Sequence, residues 1–224
     1  VAIGRSALAA LDAGADGQNV AVGMAAGELM STGVENTLIG YNAGYALTTG
    51  GYSVAIGSEA LKNEDAHSFN VAVGRAALEN LNAGANGFNT AVGHQAGRNM
   101  VTSTGNTLIG AYSGDAVATG IENTFVGYYS GSSNLAGDRG IALGAYALSS
   151  NTVGSRNIAV GHGALQSNVD GSYSVAIGYA ALNAQDPAAP ANMYNIAIGH
   201  DAGKLVSTGI SNTLIGGAAG DALT

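Results

Sequence analysis

The 224-residue chain has no cysteine, no tryptophan and only two prolines, and 10% of its residues are charged. Absence of cysteine excludes a disulfide framework and thiolate metal sites without locating the protein. Ordinary soluble domains carry about 25% charged residues. A chain well below that, with 46% hydrophobic residues, is not disordered, because disorder needs low hydrophobicity and high net charge. It contains no apolar run of the roughly 18 residues that a membrane-spanning helix requires, so membrane insertion is not expected. The sequence opens on Val1 and closes on Thr224 inside a repeated pattern, and a longer parent chain is the expectation.

What the chain has in abundance is glycine, 36 residues, and thirteen of these close a short phrase. NTLIG stands at 36–40, 106–110 and 212–216, with variants such as NVAVG at 19–23 and NIAIG at 195–199. From Gly4 to Gly216 the phrase glycines are 17 residues apart, except for two steps of 19 and one of 21. A fixed period of this kind decides the architecture before any motif search. Residues 1–224 are therefore expected to form one array of thirteen coils, with no separate globular domain.

Within the phrase, the first residue before the closing triplet's end is always β-branched, as in Val20, Thr37, Val54, Thr107 and Ile158. The third is always aliphatic, as in Val22, Ile39, Ile109 and Leu143. β-branched residues favour strands, and alternation puts these first and third columns on one face. The expectation is an all-β, parallel β-solenoid with 17-residue coils whose first and third columns line the interior. The second column, Ala in most units but Leu38, Leu108, Phe125 and Leu214 in four, then points outward; the alternative, disfavoured because it exposes a continuous apolar stripe, is a lone solenoid with the second column inside and the first and third facing out. A strand apolar on both faces implies that both are covered.

After the glycine comes a fixed pair: Ala or Ser, then only Leu or Gly, as in Ala7-Leu8 and Ala26-Gly27. The phrase glycine itself suits a turn or a close approach of two backbones. The Asn that opens nine phrases suits a corner, where stacked amides can form a ladder.

The pattern N-[SVT]-x-[IV]-G-x-x-A resembles the repeats of trimeric autotransporter adhesin heads. The longer unit, as in NTLIGYNAGYALTTGGYSVAIG at 36–57, is similar to repeats of bacteriophage tail fibres and related surface proteins. The resemblance covers all thirteen units. It implies a left-handed β-roll, three chains side by side, and an extracellular place on a virion or cell-surface appendage. Under it, the small residues of the second column let three chains approach, and Leu38, Leu108, Phe125 and Leu214 become plugs on the three-fold axis.

Catalysis needs titratable groups gathered in a pocket, and the 15 acids and 7 bases fall mostly in different columns of different units. No enzyme activity, cofactor or metal site is expected. His94, His162 and His200 each follow a phrase glycine; that column is either a metal-binding cluster on an axis or, as favoured here, a solvated edge. Threonines in the first column bring ice-binding ladders to mind, but Val, Ile and Thr alternate there and burial is expected. The net charge of −8 disfavours nucleic acid and anionic membrane as partners.

The insertions follow Leu8, Leu78 and Leu182 and lengthen one corner. Loops on rigid scaffolds carry function, so Asp12, Asp16, Asn82, Asn86, Gln185, Asp186 and Tyr194 are the receptor-contact candidates, for a host-surface glycan or protein. The expected function is a structural and adhesive fibre segment. The rival is a self-assembling filament, joined end to end, that has no receptor.

Overall fold

The computed structural model describes residues 1–12 and 17–223. The described residues contain strands and turns and no helix, wound as a parallel β-solenoid of about 12 turns with coils about 17 residues apart. Two compact units are present, Val1–Ala111 and Tyr112–Thr224. The first holds β1 (Ala2–Ile3), β2 (Val20–Val22), β3 (Thr37–Ile39), β4 (Val54–Ile56), β5 (Val71–Val73), β6 (Thr90–Val92) and β7 (Thr107–Ile109). The second holds β8 (Thr124–Val126), β9 (Ile141–Leu143), β10 (Ile158–Val160), β11 (Gly171–Ser172), β12 (Val175–Ile177), β13 (Ala191–Asn192), β14 (Ile196–Ile198) and β15 (Thr213–Ile215).

Each phrase makes one strand, and successive phrases pair in parallel register: Thr37 faces Val54, Leu38 faces Ala55, and Ile39 faces Ile56. The strands are three residues long because the phrase glycine ends them. At Gly40 φ is +136°, and a Cβ there would lie 2.5 Å from the carbonyl oxygen of Gly57 one coil on. No L side chain fits that backbone or that space.

The assignment of faces is reversed from the sequence expectation. The second column is the interior: Ala21, Leu38, Ala55, Ala72, Ala91 and Leu108 are wholly buried within the single chain, as are Phe125, Ala142, Ala159, Ala176 and Ala197. The first and third columns face outward, with Ile39 38% and Ile109 39% exposed. Leu38, Leu108 and Phe125 therefore fill their own coils and cannot plug a three-fold axis. Leu214 is part-exposed in the last coil but points the same way, its methyls 2.8 Å from where a Cβ on Gly203 or Gly220 would sit.

Volume decides this orientation, since an interior this narrow must be filled to native density without overlap. Where the second column is large, the Leu-or-Gly position is glycine: Leu38 with Gly44, Leu108 with Gly114, Phe125 with Gly131. Where it is Ala, as in Ala55, Ala72, Ala142, Ala159 and Ala176, that position is a buried leucine: Leu61, Leu78, Leu148, Leu165 and Leu182. A Cβ on Gly44 would lie 2.8 Å from Leu38 Cδ2, so the two positions share one space.

Three coils are small at both places, Ala21/Gly27, Ala91/Gly97 and Ala197/Gly203, and each follows a lengthened coil. Their space is filled from the neighbours. A Cβ on Gly27 would meet Leu8 and Leu38 at 2.8 Å each, and one on Gly97 would meet Leu108 at 2.8 Å and Leu78 at 2.9 Å.

A further interior column stands seven residues after each phrase glycine. In the first unit it reads Met30, Leu47, Glu64, Leu81 and Met100, all buried. In the second it turns polar at Asn134, Asn151, Asn168 and Gln185, also buried. Their amides bond in series: Asn151 Nδ2 donates to Asn134 Oδ1 at 2.7 Å, Asn168 to Asn151 at 3.1 Å, and Gln185 Nε2 to Asn168 at 2.9 Å.

The phrase asparagines form the corner ladder that their stacking implies, mostly through backbone N–H donors, with amide-to-amide bonds from Asn89 to Asn70, Asn106 to Asn89 and Asn212 to Asn195. Asn36 N–H donates to Asn19 Oδ1 at 2.9 Å and Ser53 N–H to Asn36 Oδ1 at 3.0 Å. The Nδ2 of Asn36 donates to Gly50 O at 2.9 Å, which ties the corner to the turn of its own coil. Each buried amide thus satisfies peptide groups that short strands leave without ladder partners.

Candidate functional site

With the interior filled by the chain itself, the outer columns and the lengthened corners are the surfaces that can meet a partner. In all three lengthened coils the added residues lie between the seventh-position residue, Leu11, Leu81 or Gln185, and the corner asparagine, Asn19, Asn89 or Asn195. Asp12 is exposed, its N–H donating to Ser31 O at 2.7 Å. Asp16 lies outside the described residues. Asn82 and Asn86 are exposed, and the Asn82 N–H donates to Val101 O at 2.9 Å. In the first unit Asp12 and Asn82 stand four coils apart, about 19 Å at the usual strand spacing, so they do not make one site.

In the third corner the candidates divide. Gln185 is not a contact residue: it is wholly buried, and its Oε1 accepts from Asn195 Nδ2 at 2.8 Å and Ser174 Oγ at 3.1 Å. The loop begins at Asp186, three residues later than an insertion directly after Leu182 implied, because the coil still needs its seventh-position side chain inside. Asp186 and Tyr194 are exposed, Tyr194 by 54%. Between them β13 pairs with β11, Ala191 opposite Gly171, and Met193 is wholly buried, so the insertion is woven into the wall. The Tyr194 ring rests 5.4 Å from that of Tyr173.

The histidine column faces outward. His162 and His200 are exposed and His94 is half-buried. Tyr179 is sandwiched between two of them, 5.4 Å from His162 and 4.9 Å from His200, with near-parallel rings. The described residues contain no group of three His, Asp or Glu able to hold a metal. The second unit also carries a tyrosine cluster. Tyr129 lies 4.7 Å from Tyr112, 4.6 Å from Tyr128 and 5.8 Å from Tyr146.

Burial against these neighbours, and then repulsion from their phenolates, raises the Tyr129 pKa above its ordinary value. Above the unfolded value of about 10 the folded chain holds a proton that the unfolded chain has lost, so stability falls as pH rises through that window. Ultraviolet titration of the phenols is expected to show a late-ionising tyrosine that Tyr129→Phe removes.

Glu64 was not singled out in the sequence. It occupies the interior column between Leu47 and Leu81 and is wholly buried. Its Oε1 accepts from the N–H groups of Asp65 and His67 at 3.2 Å each and faces His67 Nδ1 at 2.9 Å, while Oε2 has no partner. The signal was its register, seven residues after Gly57.

The outer sheet face is an apolar surface in each unit. In the first unit it carries Val20, Thr37, Val54, Val71, Thr90 and Thr107 in one column and Val22, Ile39, Ile56, Val73, Val92 and Ile109 in the other, with no charge. There the first-column threonines are half-buried and face outward, and the column mixes Thr with Val. The chain is a parallel β-solenoid repeat protein. Comparison with protein-family models, curated proteins and solved structures finds no match.

Proposed function

We propose that this chain is a structural and adhesive segment of an extracellular fibre, of the kind found in bacteriophage tail fibres or equivalent surface adhesins, and that three copies associate side by side. The observation that carries the proposal is the uncharged, β-branched outer face of β2–β7, repeated on β9, β10, β12 and β14. Contiguous apolar surface of this extent marks an interaction site. The first and third columns, not the second, supply the seam between chains. The exposed residues of the lengthened corners, Asp186 and Tyr194 among them, stay clear for a host-surface glycan or protein.

Sedimentation tests the assembly. The wild-type chain is expected to run as a trimer, and the pair Ile56→Lys and Val73→Lys as a monomer with an unchanged β-rich circular dichroism spectrum, because lysines on an outer face leave the interior intact. A wild-type chain that sediments as a monomer at micromolar concentration would sink the proposal. Adhesion is read separately, from saturable binding of labelled protein to candidate host cells and its loss in Asp186→Ala with Tyr194→Ala. Point substitutions suit this corner better than a deletion, which would remove the buried Met193.

A further inference from the structure

The outer surface of the first unit carries a groove of about 360 Å³ that the coil pattern itself builds. One wall is the column directly after the phrase glycines, Arg5, Met24 and Tyr41; the other, five residues after them, is Glu28, Tyr45 and Lys62. Small or short side chains, Ala25 and Asn42, lie between the walls and leave the groove open. At the equivalent positions of the second unit stand Tyr112, Tyr129 and Tyr146, whose rings pack together.

The lining has a definite chemistry. Tyr41 and Tyr45 offer ring faces and hydroxyls, the combination that covers an apolar plane while keeping a polar edge. Arg5 pairs with no carboxylate among the described residues, and its Nη2 rests 3.0 Å from Met24 Sδ, a weak acceptor. Lys62 stands 3.5 Å from Glu59 Oε1, at the long end of a hydrogen bond. Two of the chain's seven Lys and Arg thus line one groove in a molecule of net charge −8. Glu28 and Asn42 add acceptors and a donor for hydroxyl groups.

We propose that this groove binds an acidic oligosaccharide, with a uronate-type carboxylate on Arg5 and pyranose faces against Tyr41 and Tyr45. Arginine is the side chain whose fork matches a carboxylate, and the charge-assisted pair is the strongest contact available here. The parallel columns run along the solenoid, so a linear saccharide can lie along them with successive sugars over successive coils. The inference takes its biological sense from the adhesive reading, but it places the contact on residues other than those of the lengthened corners.

Calorimetric titration of the intact chain with trigalacturonate, cellotriose and a tri-aspartate peptide tests it. Saturable binding of trigalacturonate is expected, weakening with salt. Loss of about tenfold or more is expected in Arg5→Gln and in Tyr45→Ala, the scale of one charge-assisted contact. Cellotriose and tri-aspartate should bind at least about tenfold more weakly than trigalacturonate, by the same arithmetic. The proposal is overturned if trigalacturonate does not bind, if neither variant changes its binding, or if either control binds as tightly. Host-cell binding that is lost on substituting Asp186 and Tyr194, in a chain that does not bind trigalacturonate, overturns the groove while leaving adhesion standing. Trigalacturonate binding as described, without host-cell binding, supports the groove and counts against the adhesive reading.

Discussion

Replacing Leu38 with alanine is expected to lower the unfolding free energy by about 2–5 kcal/mol, the cost of a cavity at a wholly buried leucine. Gly44→Leu alone is expected to cost about 1–3 kcal/mol through overpacking, since its Cβ would sit 2.8 Å from Leu38 Cδ2. Combined, the two changes recreate the Ala55/Leu61 arrangement of the next coil and should restore most of the loss. The backbone permits it: φ is +57° at Gly44 and +51° at Leu61. A double-mutant cycle read from urea denaturation gives the coupling, expected at the upper end of the roughly 0.5–3 kcal/mol found for touching residues. A double variant less stable than either single one would show that the coil does not trade volume between these positions.

The second large effect lies in the buried amide column. Asn151→Leu removes the donor to Asn134 Oδ1 and to Gly154 O, at 2.7 and 2.9 Å, and the acceptor for Asn168 Nδ2. Asn134 Oδ1 keeps the Gly137 N–H and Asn168 Nδ2 keeps Gly171 O, so Gly154 O is the group that loses its amide donor. An unsatisfied buried group costs about 1–3 kcal/mol, and the single substitution is expected to destabilise by about that much although it adds apolar volume. Conversion of Asn134, Asn151 and Asn168 together to leucine should cost more than the single change, although an apolar column serves at Leu47 and Leu81, because the buried Gln185 Nε2 and the Gly137 N–H also lose their acceptors. It forfeits the bonds to the Gly137, Gly154 and Gly171 carbonyls as well, of which Gly137 O and Gly171 O keep the corner amides of Asn123 and Asn157. Thermal denaturation of the single and triple variants decides this; a triple variant no worse than the single would mean that the amide series adds nothing to the stability.

The period, the strands and the solenoid were legible because each rests on a repeated local preference: β-branched residues at Val20 or Thr37, a glycine no other residue replaces at Gly40, an asparagine at each corner. Which face lies inside was not legible from alternation, since that yields two sets of positions and says nothing of depth. Branched side chains looked like core, yet Val54 and Ile56 face out and Ala55 faces in. The decisive sign was present in the sequence as an exchange of size: Leu38 with Gly44, Ala55 with Leu61. Gln185 was misplaced for a related reason. A polar residue beside an insertion reads as loop until its register, seven after Gly178, shows it to be a rung of the amide column.

Hydrogen-bond partners in this fold are set by coil count and not by distance along a surface: Gly57 N–H reaches Ile39 O and Gly74 N–H reaches Ile56 O by the same step. Gene rearrangements that remove or duplicate one whole coil, such as residues 54–70, return every donor to an equivalent acceptor. Loss of a few residues from within a strand offers no such recovery. The length of this protein is therefore a nearly quantised trait, free to drift in units of one turn, with smaller changes confined to the one corner that already carries the steps of 19 and 21.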